Sequence, residues 1–168
     1  MQLRAHPSMP AGGQSSSSGA AGGEAAPADI REPRLRDLWQ YWAGKRDGVL
    51  LPGRAAISPL EMRAWLGNLL LMDVVEGGRD FRYRLHGTQL VQLFGVDLTG
   101  QLVGALRVRD VDRLLAEGRS VVASRDALYT EETVVAEKQH VAISKLVLPL
   151  AANARDVDMM IVGIYRRR

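Results

Sequence analysis

No cysteine occurs in the chain. Disulfides, thiolate catalysis, cysteine-ligated zinc and iron–sulfur clusters are therefore excluded. No window approaches the ~18 uninterrupted apolar residues of a membrane-spanning helix. The start lacks a charged segment followed by an apolar one, so no export signal is read there. The nucleotide loop Gly-x-x-x-x-Gly-Lys, the Gly-x-Ser-x-Gly elbow and the His-Glu-x-x-His helix are all missing. The chain is read as neither an enzyme nor a metal protein, and as cytoplasmic. Excess charge is small, at +3. The tight basic run is Arg166–Arg168, read as a solvated tail and not as a contact to nucleic acid or anionic lipid.

What is present fits one soluble domain. The 168 residues are 46% hydrophobic and 24% charged, enough for one sizeable core. Residues 1–30 are mostly Gly, Ala, Ser, Pro and Gln, including Ser15–Ser18. Such a segment buries too little apolar surface to offset its ordering entropy, so a disordered tail is expected. Residues 31–168 form the domain.

Leu35, Leu38, Trp39 and Trp42 fall at helical spacing and make one apolar stripe. That stripe has two readings: packing on the chain's own sheet, or a homodimer interface. Further on, Ser58-Pro59-Leu60-Glu61 has the form of a capped helix start, with Glu61 closing the box. Gly67-Asn68 ends that helix.

Five strands are expected. Leu69–Val75 is a nearly continuous apolar run. Phe81–Leu85 alternates, with Phe81, Tyr83 and Leu85 on one face and Arg82, Arg84 and His86 toward the other. Tyr129–Val135 is mixed in polarity. Val141–Leu150 is apolar on both faces in its second half, and Met159–Tyr165 is again nearly continuous. Runs apolar on both faces belong inside a sheet, and alternating or polar runs at its edges. Strands one and five are thus central, and strands two and three lie outside. Between strands two and three, Thr88 caps a short helix ended by Gly95. Val108, Val111, Leu115 and Val122 then mark one face of a longer helix.

The order is two strands, short helices, one long helix and three strands. It carries Trp39-x-x-Trp42, Pro52-x-Arg54, the Pro59 helix, Asp80-Phe81-Arg82-Tyr83-Arg84-Leu85-x-Gly87-Thr88, Gly95-x-Asp97-Leu98-Thr99-Gly100 and Leu148-Pro149-Leu150. Together these resemble the PAS domain family, in particular a bacterial subgroup of stand-alone PAS proteins, over roughly residues 34–165. The resemblance implies an α+β fold. Its five-stranded antiparallel sheet has the order 2-1-5-4-3, with helices on one face and an N-terminal flanking helix. The subgroup often has an acidic residue between Arg54 and Pro59. Here Ala55, Ala56, Ile57 and Ser58 stand there, so Arg54 has no acidic partner within the segment.

The resemblance also implies a sensory module that binds a small ligand or a partner signalling protein; fold by itself does not choose between them. Arg84, His86 and Thr88, with Tyr83 beside them, are the candidate ligand-binding residues. If their face turns inward, a cation, an imidazole and a hydroxyl meet at a cavity mouth. If it turns outward, they are the solvated face of an edge strand. Haem would commonly need a histidine on the long helix, and residues 107–124 contain none; His86 and His140 are isolated. The missing cysteine removes the residue with which flavin photosensors of this superfamily form their adduct, and nothing in the sequence selects a flavin. The acidic pairs Asp110, Asp112, Glu131 and Glu132 are read as solvated. Histidine-kinase and cyclic-nucleotide-synthase signatures are missing, so the output is expected from a partner. Two functions remain: a ligand sensor, and an adaptor with a filled core and an exposed patch around Trp39 and Trp42.

Overall fold

A computed structural model describes residues 29–168. The expected tail, residues 1–28 in all but its last two positions, lies outside the described residues. Among the described residues, five strands form one antiparallel sheet: β1 (Leu69–Val75), β2 (Asp80–His86), β3 (Leu128–Ala136), β4 (Gln139–Leu150) and β5 (Met159–Arg166). Their order is β2-β1-β5-β4-β3, the order the family resemblance implies, with β1 and β5 inside and β2 and β3 at the edges as the apolar patterning predicts. Three α-helices accompany them: α1 (Pro33–Gly44), α2 (Thr88–Phe94) and α3 (Val111–Ser124).

The central strands are apolar on both faces because both faces are covered. α1 lies on one face, where a Cβ on Gly163 of β5 would stand 2.7 Å from Leu35 and 2.9 Å from Leu38. The missing side chain lets the helix settle onto the strand. Trp42 Nε1 donates to the Pro149 carbonyl at 2.8 Å, so the ring is buried with its one polar atom satisfied. Leu35, Leu38, Trp39 and Trp42 are all buried within the chain. Side chains alternate along a strand, so Met160, Val162 and Ile164 face the opposite way, toward α2 and α3.

Three local expectations differ from the structure. The Ser58-Pro59 segment forms 3-10 turns (Glu61–Ala64, then Leu66–Asn68) and not an α-helix. Glu61 does not close a capping box: its carboxylate takes the Tyr41 hydroxyl at 2.7 Å and the Lys45 ammonium at 2.7 Å. The Ser58 N–H goes instead to the Tyr41 hydroxyl. Longer-range partners on α1 and just after its end thus outcompete the local box. Thr88 is the first residue of α2, with Gly87 in the cap position and no side-chain cap bond. The long helix begins at Val111, so Val108 precedes it and is exposed. Arg54 donates to the Ile57 carbonyl at 2.8 Å, a backbone partner within its own segment.

Candidate ligand cavity

Between the inner face of the sheet and α2–α3 lies a cavity of about 890 Å³. That volume falls within the ~300–1,000 Å³ typical of small-molecule sites. Leu70, Met72, Val147 and Val162 line it from the central strands, with Phe94 and Leu114 opposite. One end is closed where α3 meets β2. A Cβ on Gly118 would stand 2.5 Å from the Phe81 ring, so only glycine allows this approach. Exposed Val96, Val108 and Val135 also border the cavity, giving it an apolar rim.

A β-bulge decides which candidate residues reach this space. Leu71 pairs with Leu85 and Met72 with Tyr83, leaving Arg84 without an opposite residue. One extra residue reverses the alternation beyond it. Phe81, Tyr83 and His86 therefore point inward, while Arg82, Arg84 and Leu85 are exposed. Arg84 and His86 do not share a face, contrary to the plain alternation. Arg84 lies outside and pairs with Asp73 at 3.2 Å. Thr88 is exposed at the start of α2 and does not line the cavity. The group that meets inside is Tyr83 and His86, whose rings stack at 6.1 Å and 17°.

His86 is fixed from behind. Its Nδ1 accepts the Leu98 N–H at 3.0 Å. Asp97 holds that turn by accepting the Thr99 N–H at 2.9 Å and its hydroxyl at 2.6 Å. The same loop covers the free edge of β2: Gly100 N–H donates to the Tyr83 carbonyl and Tyr83 N–H to the Gln101 carbonyl. Burial lowers the His86 pKa, with nearby Asp97 opposing. The ring is thus neutral at ordinary pH. Burial alone pushes the Tyr83 phenol up to about 12.

Sequence reasoning missed a second polar group in the cavity wall. Lys145 of β4 is buried, at 4% exposure. Its ammonium meets Glu117 of α3 and Glu132 of β3, each at 2.6 Å. Arg113 pairs with both carboxylates. Glu132 is therefore largely covered within a charged cluster and not free in solvent, and Glu131, one residue away, faces the other side toward Arg31 and Arg167. A lysine within the otherwise apolar Val141–Leu150 run was the available signal. Buried charges need partners, and desolvation drives its pKa down while Glu117 opposes.

A model of the PAS domain family matches residues 30–166. The chain belongs to the PAS family. Two solved structures agree on the fold. A light-oxygen-voltage domain whose mechanism was probed with a flavin analogue has a TM-score of 0.52 at 10% identity, covering 68% of this chain and 88% of its own. The VqmA dimer of Vibrio cholerae, described as a LuxR-type receptor, gives 0.53 at 9%, covering 67% and 52%. The light-oxygen-voltage protein of Rhodobacter sphaeroides gives 0.48 at 12%, covering 64% and 65%. The chain thus spans about half of the VqmA chain and just under two thirds of the Rhodobacter protein. No curated protein matches the sequence.

The PAS sheet supplies its inner face to the cavity and its outer face to α1. Among the described residues, no helix is long and apolar enough to cross a membrane. No group of three or more His, Asp or Glu is placed to hold a metal ion among them either.

Proposed function

We propose that this PAS domain is a sensory module that takes a small, mostly apolar molecule into the cavity between its sheet and α2–α3. It relays occupancy to a partner signalling protein. The observation that carries this reading is a ligand-sized cavity lined in part by His86, whose buried Nε2 has no hydrogen-bond partner among the described residues. Buried polar atoms are nearly always satisfied, and binding sites are where exceptions gather. The adaptor reading expects a filled core and an exposed patch at Trp39 and Trp42. The cavity and the burial of both rings weigh against it.

A relay follows from what holds the cavity shut. α3 is tied to the sheet by Glu117–Lys145 and the 95–100 loop by Leu98–His86, so a ligand that shifts either contact changes the outer surface. The missing cysteine removes adduct photochemistry of the flavin-photosensor kind. The test is mass spectrometry of the purified protein, native against denaturing, with an absorbance scan. A reproducible extra mass that leaves on denaturation is expected, and any flavin or haem shows as colour. A bare chain that also takes up no apolar probe overturns the sensor reading.

A further inference from the structure

The inference concerns the chemistry of the ligand, and it rests on the cavity reading above. The His86 side chain is 2% exposed. Its Nδ1 accepts a backbone N–H, so in the neutral ring the proton sits on Nε2. That Nε2–H is buried and has no hydrogen-bond partner among the described residues. A donor left so is unfavourable until an acceptor arrives. The nearest carboxylate, Asp97, stands 4.0 Å away on the Nδ1 side and is itself largely exposed, so it does not serve Nε2. The other polar group of the cavity is balanced internally. Lys145 and Arg113 meet Glu117 and Glu132, Arg113 also meets Asp110, and Arg109 is the third lining cation, so three charges of each sign leave no formal net charge to attract an ion. Two rings lie beside His86: Tyr83 nearly parallel and Phe94 tilted at 6.5 Å.

We propose that the ligand is a neutral, flat, mostly apolar ring compound that accepts a hydrogen bond from His86 Nε2 through a ring nitrogen or carbonyl oxygen. A flat molecule continuing the imidazole plane runs almost parallel to the Tyr83 ring, which favours offset stacking. A hydroxyl or amine able only to donate finds no acceptor at this position. The contact also reaches the surface, because a ligand bonded to Nε2 polarises the ring that holds Leu98 and so tightens the 95–100 loop.

Naphthalene and quinoline test this, since they differ by one ring CH replaced by nitrogen. The full chain, labelled with 15N-histidine, is titrated with each near pH 7.5, where quinoline is neutral. We expect His86 to carry its proton on Nε2, and quinoline to move that nitrogen resonance where naphthalene does not. His86→Asn keeps a carbonyl oxygen near the Nδ1 position, and so the Leu98 bond, but loses the donor. The quinoline-to-naphthalene affinity ratio then falls about fivefold, the share of one neutral hydrogen bond. His86→Gln reaches the Nε2 position with an amide N–H and restores the ratio. A ratio unchanged in His86→Asn, or a proton found on Nδ1, overturns the inference while the cavity reading stands. If neither compound binds up to the solubility of naphthalene, the inference and the cavity reading fall together.

Discussion

The segment Tyr83-Arg84-Leu85-His86-Gly87-Thr88 shows how single residues set this site. Alternation correctly separates Phe81 and Tyr83 from Arg82, but the bulge at Arg84 then reverses it. Nothing in the residue types marks where a strand gains one residue, so the inward turn of His86 was not legible. Gly87 has a plainer cause. A Cβ there would stand 2.5 Å from the carbonyl oxygens of both Leu66 and Gly67, and backbone cannot swing aside as a side-chain tip can. Gly87→Ala should lower stability by roughly 1–3 kcal/mol or more, read by urea denaturation, and should shift the Leu98–His86 contact that follows. His86 itself gives a pH signature. Its folded pKa is depressed by burial, so on acidification the unfolded chain takes up the proton first. Stability should be level above about pH 7 and fall as pH drops through roughly 6.5, the ordinary histidine value. His86→Asn should flatten that part of the curve; an unaltered slope in the variant would assign it to other groups.

Elements, in contrast to side-chain orientations, were largely readable. β1 matches its apolar run at both ends, and the central positions of β1 and β5 follow from apolarity on both faces. Failures came where distant partners override local signals, as Tyr41 and Lys45 do at Glu61. The cluster at Lys145 is of the same kind: it joins β3, β4 and α3, and no local window contains it. It also ties the cavity's lid to its floor. Lys145→Met leaves Glu117 and Glu132 facing each other with Arg113 alone between them. Breaking a buried ion pair on one side typically costs roughly 3–5 kcal/mol, and a loss of that size is expected in equilibrium denaturation. Lys145→Met combined with Glu117→Leu removes one charge of each sign and should recover most of it. If the single change is nearly neutral, the cluster is more hydrated than its burial indicates and cannot act as the latch on α3.

At the scale of the whole molecule, one sheet serves two unlike faces, and the sequence distinguishes them poorly because both are apolar. Volume is what differs. Against α1 the face is solid, with Leu35 and Leu38 seated on Gly163 and Trp42 bonded to Pro149. Against α2 and α3 it is hollow. Neighbouring residues of β5 therefore face opposite tests. Ile161 is buried on the α1 side, and Val162 lines the cavity. Ile161→Phe overpacks a filled layer and should cost about 1–3 kcal/mol. Val162→Phe directs its added ring into open space bounded by apolar side chains, so stability should hold or rise. Its second effect is functional, because the new ring takes volume a ligand needs and naphthalene affinity should fall at least tenfold. Denaturation curves and probe titrations on the two variants read both quantities. Equal destabilisation by the two substitutions would mean that the cavity face closes up in solution, which is the adaptor's core and not the sensor's. Unequal stability with loss of binding confined to Val162→Phe would place recognition on the hollow face and leave the α1 face a structural support.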